Sequence, residues 1–142
     1  MLDDFIRQKE MMFVKGKDMP DFWGGVDSHG DHSYELFFTA GKAEGPSHGQ
    51  LATYNSFLES VDEVCGEIHT RVKALLLSAG PEVWQRYKNS PLGLLFVSVF
   101  PEHSEDDIEL TCEISRKGFL FRKRKSMVAR IRDNTVVSVN LL

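Results

Sequence analysis

Residues 50–79 repeat apolar side chains at alternating steps of three and four positions, the pattern of an amphipathic helix that buries one face. The apolar stripe begins at Leu51 and continues to Ala79. A second start signal lies within it, because Ser60 and Glu63 have the spacing of a capping box. The stretch therefore predicts either one long kinked helix or two consecutive helices.

The two-helix form has boundaries that can be read from the sequence. Ser47 and Gln50 have the spacing of a capping box, so the first helix would begin near Ser47 and end near Glu59. The second helix would run from about residue 61 to Ser78. It must stop there because the next residues are alanine, glycine and proline, and proline cannot continue a helix.

The regions on either side of the helices predict β-strands. Residues 21–40 have the pattern of a β-hairpin around a polar turn, although Phe37 breaks the alternation and predicts a strand covered on both faces. Further apolar or alternating segments predict four strands in series, at 92–100, 108–115, 118–132 and 135–142. Strands and helices are thus segregated along the chain, which is typical of an α+β fold rather than of repeated βαβ units.

We therefore expect an antiparallel sheet, made of an N-terminal hairpin and a C-terminal four-strand meander, packed against the helices. The length of 142 residues favours a single globular domain over residues 1–142. Residues 1–20 predict a short helix or a loosely attached arm.

Composition indicates a cytoplasmic protein. The N-terminus carries acids where a secretion signal needs positive charge, and no segment approaches the apolar length that spans a bilayer. Cys65 and Cys112 lie on predicted apolar faces, as buried thiols in a reducing compartment do. Charge is uneven, since residues 1–70 carry a net charge of −8 and residues 71–142 carry +4.

A group of potential metal ligands occupies the predicted hairpin turn. Asp27, His29, Asp31 and His32 supply carboxylate and imidazole groups, which bind zinc and other transition metals. The same residues also suit a turn, where aspartate side chains bond to the local backbone. The metal-ion interpretation predicts a small metal-dependent enzyme that uses this turn.

An acidic ridge is predicted on the helix surface opposite the apolar stripe, formed by Glu59, Asp62, Glu63 and Glu67. It could bind a basic partner. Exposed acids on a helix are also ordinary, and an ion pair between Glu67 and Arg71 would partly neutralise the ridge.

Basic residues are concentrated at 116–125, where phenylalanines interrupt them. Arg122 and Arg124 could hold the phosphates of a single-stranded nucleic acid. A two-residue turn at 116–117 would instead place Thr111 opposite Arg122 and Glu109 opposite Arg124, giving a partly ion-paired sheet face. We rank nucleic-acid binding third among the functions, because the overall pI of 5.7 is acidic.

No catalytic motif, nucleotide-binding loop or cofactor fingerprint occurs in the sequence, so we expect no cofactor. The WGG segment with its apolar strand, the helix pair QLATYNSFLESVDEVCGEI and the closing meander resemble small bacterial α+β domains of the immunity-protein type. This resemblance implies a non-enzymatic cytoplasmic protein that binds another protein, as inhibitors of toxins do. The last strand, at 137–142, is expected at a sheet edge, so that the protein would be a monomer or a homodimer.

Overall fold

The structure is a computed structural model that describes residues 2–117 and 122–142. These residues form four α-helices and seven β-strands. The helices are α1 (Leu2–Gln8), α2 (His48–Glu59), α3 (Val61–Ala79) and α4 (Pro81–Tyr87). The strands are β1 (Met12–Val14), β2 (Phe22–His29), β3 (His32–Thr39), β4 (Leu92–Val99), β5 (Ile108–Lys117), β6 (Arg122–Arg132) and β7 (Thr135–Leu141).

The strands form one open sheet in the order β1-β2-β3-β4-β5-β6-β7. Every neighbouring pair is antiparallel except β3 and β4, which run parallel with Leu36 beside Val97. The predicted α+β class and the mainly antiparallel sheet are therefore confirmed. The parallel pair and the short strand β1 were not predicted. The parallel pair is possible because all three of the helices α2, α3 and α4 lie between β3 and β4 in the chain and form the crossover.

The central amphipathic stretch forms two helices rather than one. The Ser47 hydroxyl accepts a hydrogen bond from the Gln50 backbone N–H, and the Gln50 side chain accepts one from the Ser47 N–H. The capping box predicted at the start of α2 is thus present. The second predicted box is wrong, because the Ser60 side chain caps no N–H of α3 and bonds back to the carbonyls of α2 instead.

All four helices cover one face of the sheet. Alternate strand residues such as Phe38, Val97 and Leu110 point to that side and are fully buried. Tyr54 of α2 and Ile68 of α3 are buried in the same core. The other residues of each strand face away from the helices, so the sheet has one covered face and one open face.

Residues 2–14 pack on the sheet through both side chains and backbone. The ring of Phe5 contacts Phe38 with centroids 5.9 Å apart, and Met11 is buried. The carbonyl of Lys9 accepts a hydrogen bond of 2.9 Å from the N–H of Val26. These contacts position α1 over the core and lead the chain into β1 at the edge of the sheet.

The predicted register between β5 and β6 is wrong. Thr111 lies opposite Val128, and Glu109 lies opposite Arg130. The ladder continues as far as Lys117 and Arg122, so no two-residue turn forms at 116–117. Backbone hydrogen bonds do not require apolar side chains, and this hairpin extends through polar residues that the sequence suggested as a turn.

Within the described part of the chain, no helix has the length and hydrophobicity needed to cross a membrane.

Candidate functional site

The open face of the sheet carries an apolar surface on its β1–β4 half. We call this surface the apolar open face; it consists of Met12, Val14, Phe22, Val26, Phe37 and Phe96. Met12 is 70% exposed and Val26 is 47% exposed. Apolar groups of this size on one exposed face are characteristic of a surface that binds another molecule.

Three phenylalanines form a row across the strands of this face. The ring centroids of Phe22 and Phe37 are 5.9 Å apart, and those of Phe37 and Phe96 are 6.1 Å apart. Gly24 lies beside the row, and a methyl group at this position would come within 3.3 Å of the Phe37 ring. The glycine therefore leaves room for the Phe37 ring in this row.

The connection between β1 and β2 forms one wall of a groove at the end of the row. Met19, which is 61% exposed, and Pro20 line an apolar depression of about 290 Å³ together with Phe22 and Phe37. The depression offers an apolar recess to a partner side chain.

One acidic group stands within the apolar open face. Glu35 is exposed and lies between Val26 of β2 and Phe96 of β4 in the sheet register. Among the described side chains, which exclude those of residues 116–123, no lysine or arginine pairs with it. The surface is therefore complementary to a cation surrounded by apolar groups.

The β5–β7 half of the open face is charged and internally paired. Asp106, almost fully buried, lies 3.3 Å from both Arg130 and Arg132. Arg130 also lies 3.5 Å from Glu109. These ion pairs neutralise the two arginines within the protein. A partner therefore finds a more favourable contact on the apolar half of the open face than on this charged half.

A buried polar cluster lies on the helix side of β2 and β3. The Asp27 carboxylate accepts hydrogen bonds from the Tyr54 hydroxyl and, at 2.9 Å, from the Lys9 ammonium group. Tyr54 donates its only hydroxyl proton to Asp27, so Tyr34, at 2.6 Å, must donate to the Tyr54 oxygen. The cluster connects the end of α1 to β2, β3 and α2.

The tyrosines of this cluster are held in their neutral form. Burial raises the pKa of Tyr34 to about 12, and the neighbouring Asp27 carboxylate acts in the same direction. Burial also raises the pKa of Tyr54, and its hydrogen bond to Asp27 raises it further. Neither hydroxyl is therefore poised to act as a base near neutral pH.

The four residues of the predicted metal site do not converge. Asp27 faces the buried cluster, whereas His29 and His32 lie opposite each other at the end of the hairpin and Asp31 is exposed in its turn. Among the residues that the structure describes, no three histidine, cysteine, aspartate or glutamate side chains come together as a metal site would require. The geometry thus lends no support to the metal-dependent enzyme.

A second depression, of about 770 Å³, opens between α3 and the sheet near the β2–β3 turn. Cys65 and His69 line it from α3, and Glu113 lines it from β5. Burial raises the pKa of Cys65 to about 11, with a further contribution from Asp62, and burial also raises the pKa of Cys112. Thiols that remain protonated are poor nucleophiles and poor metal ligands, so Cys65 is not activated for either role in this depression.

The acidic ridge is exposed on the helix layer, on the opposite side of the molecule from the apolar open face. Glu59, Asp62, Glu63 and Glu67 are all accessible to solvent. The predicted ion pair is present, since Arg71 lies 3.1 Å from Glu67. Arg71 therefore neutralises one of the four carboxylates, and the negative charge of the ridge comes from the other three.

The basic strand is partly neutralised where its side chains are described. Arg124 lies 3.7 Å from Glu113, across the β5–β6 pair. Arg122 lies opposite Lys117 in the backbone ladder, and residues 118–121 of the basic run fall outside the described residues. The placement of Arg124 is that of an ion-paired sheet residue.

The sequence interpretation missed both the apolar open face and the buried cluster. The signal for the apolar open face in the sequence was Phe37, which breaks the alternation of its strand. The buried cluster links Lys9, Asp27 and Tyr54. These residues are far apart in the sequence and share no motif, so the sequence gives no sign of their contact.

Comparison of the chain with models of protein families, with curated proteins and with solved structures gave no match.

Proposed function

We propose that this chain is a non-enzymatic protein-binding domain whose partner contacts the apolar open face. The observation that carries the proposal is the half-buried aromatic row of Phe22, Phe37 and Phe96, on the sheet face opposite the four described helices. Large apolar residues dominate the binding energy of protein interfaces, and aromatic residues are enriched there. The partner is a protein surface that presents apolar side chains around a lysine or arginine, which would pair with Glu35.

Inhibition of the bound protein is the narrower form of this proposal. It rests on the resemblance to immunity-type domains and includes the cytoplasmic location predicted from the sequence. The two cysteines support that location, since both are free and buried. A toxin encoded by a neighbouring gene would give the partner its identity.

Purified protein, used as bait in extract of its source organism, would identify the partner, and titration calorimetry with that purified partner tests the surface. Phe96→Lys places a charge in the aromatic row, and Glu35→Lys reverses the charge of the acidic group beside it. Each should weaken binding at least tenfold, which corresponds to about 1.4 kcal/mol.

The acidic ridge supplies the matched comparison. The double variant Glu59→Lys and Glu63→Lys changes charge on the helix layer and should bind the partner as the wild type does. If this variant loses binding while Phe96→Lys retains it, the partner contacts the ridge and our assignment of the surface is wrong. Turnover of a substrate by the purified chain would contradict the non-enzymatic function itself.

A further inference from the structure

Strands β1 and β7 form the two edges of the sheet and differ in length. β1 has three residues and is followed by Lys15 and Lys17, so it offers little backbone for pairing. β7 has seven residues, Thr135–Leu141, and contains neither proline nor a charged residue. Proteins commonly protect an edge strand with charge, proline or shortness, and β7 has none of the three.

The outward-facing backbone groups of β7 can be assigned from its pairing with β6. The N–H of Leu142 donates to the carbonyl of Ser126, so the pair at 142 is hydrogen-bonded inward. Inward and outward residues alternate in an antiparallel strand. Val139 and Leu141 therefore direct both their N–H and C=O groups to the outside of the sheet.

Arg71 of α3 covers the beginning of this edge. Its guanidinium group donates to the carbonyl of Val136 at 2.9 Å and to that of Val137 at 3.3 Å. Within the described ranges, no comparable donor or acceptor reaches the outer groups of Val139 or Leu141. The second half of β7 is thus open to a further strand.

The side chains along the same edge are apolar and exposed. Val137 is 45% exposed, Leu141 is 38% exposed and Leu142 is 77% exposed. An uncharged segment can approach a second copy of itself without repulsion between like charges. An antiparallel pair is self-complementary, as a two-fold symmetric interface must be.

We infer that β7 pairs with β7 of a second copy of this chain in an antiparallel register with Val139 on the two-fold axis. The two Val139 residues then exchange both backbone hydrogen bonds. Leu141 of each copy lies opposite Val137 of the other. The Val137 carbonyl keeps its hydrogen bond to Arg71, so this outer pair contributes burial of its exposed apolar side chains rather than further backbone hydrogen bonds. The inference does not depend on the proposed function, because β7 lies at the opposite edge of the sheet from β1 and the apolar open face.

Sedimentation velocity over a concentration series tests the pairing directly. The wild type should shift from monomer to dimer with increasing concentration. Two double variants replace Val137 and Leu141, one with lysine at both positions and one with glutamate at both. Each places like charges opposite each other in the pair, so each alone should remain a monomer.

Mixing the two variants shows whether they stay monomeric because like charges repel in the proposed register or because they fail to fold. Lysine of one variant then faces glutamate of the other, so the mixture should form a heterodimer. The control variant Met12→Lys with Val14→Lys adds the same charge to the β1 edge and should dimerise as the wild type does. A wild type that stays monomeric up to about 1 mM, or a mixture of folded variants that fails to associate, overturns the inference.

Discussion

Replacing Tyr54 by phenylalanine should destabilise the protein far more than the loss of one exposed hydroxyl would. The change removes the proton donor to Asp27, whose side chain is 7% exposed, and the acceptor of Tyr34, which is 5% exposed. A hydrogen bond to a charged group contributes about 1.5–3 kcal/mol, and one between neutral groups contributes about 0.5–1.5 kcal/mol. The phenyl ring fills the same space, so no cavity adds to the loss. We expect the free energy of unfolding to fall by about 2–4 kcal/mol.

Urea unfolding at neutral pH, followed by far-ultraviolet circular dichroism, measures this loss as a lower midpoint at an unchanged slope. Tyr87→Phe is the matched control, because Tyr87 is also buried but its hydroxyl reaches solvent and forms no hydrogen bond with a protein group in the described chain. The control should lose less than about 0.5 kcal/mol. Equal losses in the two variants would refute the argument that the cluster, rather than the hydroxyl group itself, sets the magnitude.

A double-mutant cycle with Tyr34→Phe separates the cluster from its parts. Tyr34 and Tyr54 share one hydrogen bond, so their losses should not add, and the coupling energy should be at least about 0.5 kcal/mol. Strict additivity would show that the two hydroxyls act independently.

Three further predictions concern pH, helix capping and thiol reactivity. The pKa of Tyr34 is about 12 in the folded chain against 10.0 for an ordinary tyrosine, so the unfolded chain releases this proton first. This group should therefore leave the free energy of unfolding unchanged below pH 10.0 and lower it as the pH rises towards 12. Urea titrations at several pH values would measure this fall, which should be less steep in Tyr34→Phe. Ser47→Ala removes a real N-cap and should cost about 1 kcal/mol in thermal or urea unfolding, whereas Ser60→Ala should cost less than about 0.5 kcal/mol because its hydroxyl caps no N–H. Burial raises the pKa of Cys65 to about 11 and also raises that of Cys112, so both thiols should react with Ellman's reagent slowly in the native protein and rapidly in urea; fast native reaction would contradict their placement.

The helices were predictable because their information is local. The apolar residues of α2 and α3 recur with the period of the helix, and Ser47 lies three residues before Gln50. Ser60 and Glu63 have the same spacing but form no capping box, since Ser60 has a backbone conformation set by the junction of two helices, with φ −120° and ψ 14°. A spacing rule cannot detect that difference.

The sheet was predictable in class but not in its contacts. Alternation identified Ile108, Leu110 and Cys112 as one face of a strand, and all three are buried. The alternation says nothing about which strand lies alongside, so the parallel pairing of β3 with β4 was not predicted and the predicted register of β5 with β6 was wrong.

The candidate sites depended on the same missing information. Asp27 suggested a metal ligand because histidines are its neighbours in the sequence. In the folded chain its partners are Lys9 and Tyr54, which sequence distance hides. Phe37 indicated an unusual strand, yet only the neighbouring strands bring Phe22 and Phe96 to its two sides.

The parallel pair at the centre of the sheet has a consequence for how the chain reaches its native state. Strands β1–β3 and strands β4–β7 are each connected by short links and can pair soon after synthesis, as local hairpins do. Joining β3 to β4 closes a loop that includes the whole helical region, and the entropy of that closure must be overcome before the core is complete. Two peptides divided in the connection between β3 and α2 should therefore reassociate into the native structure, because the division opens this long loop and breaks no hairpin.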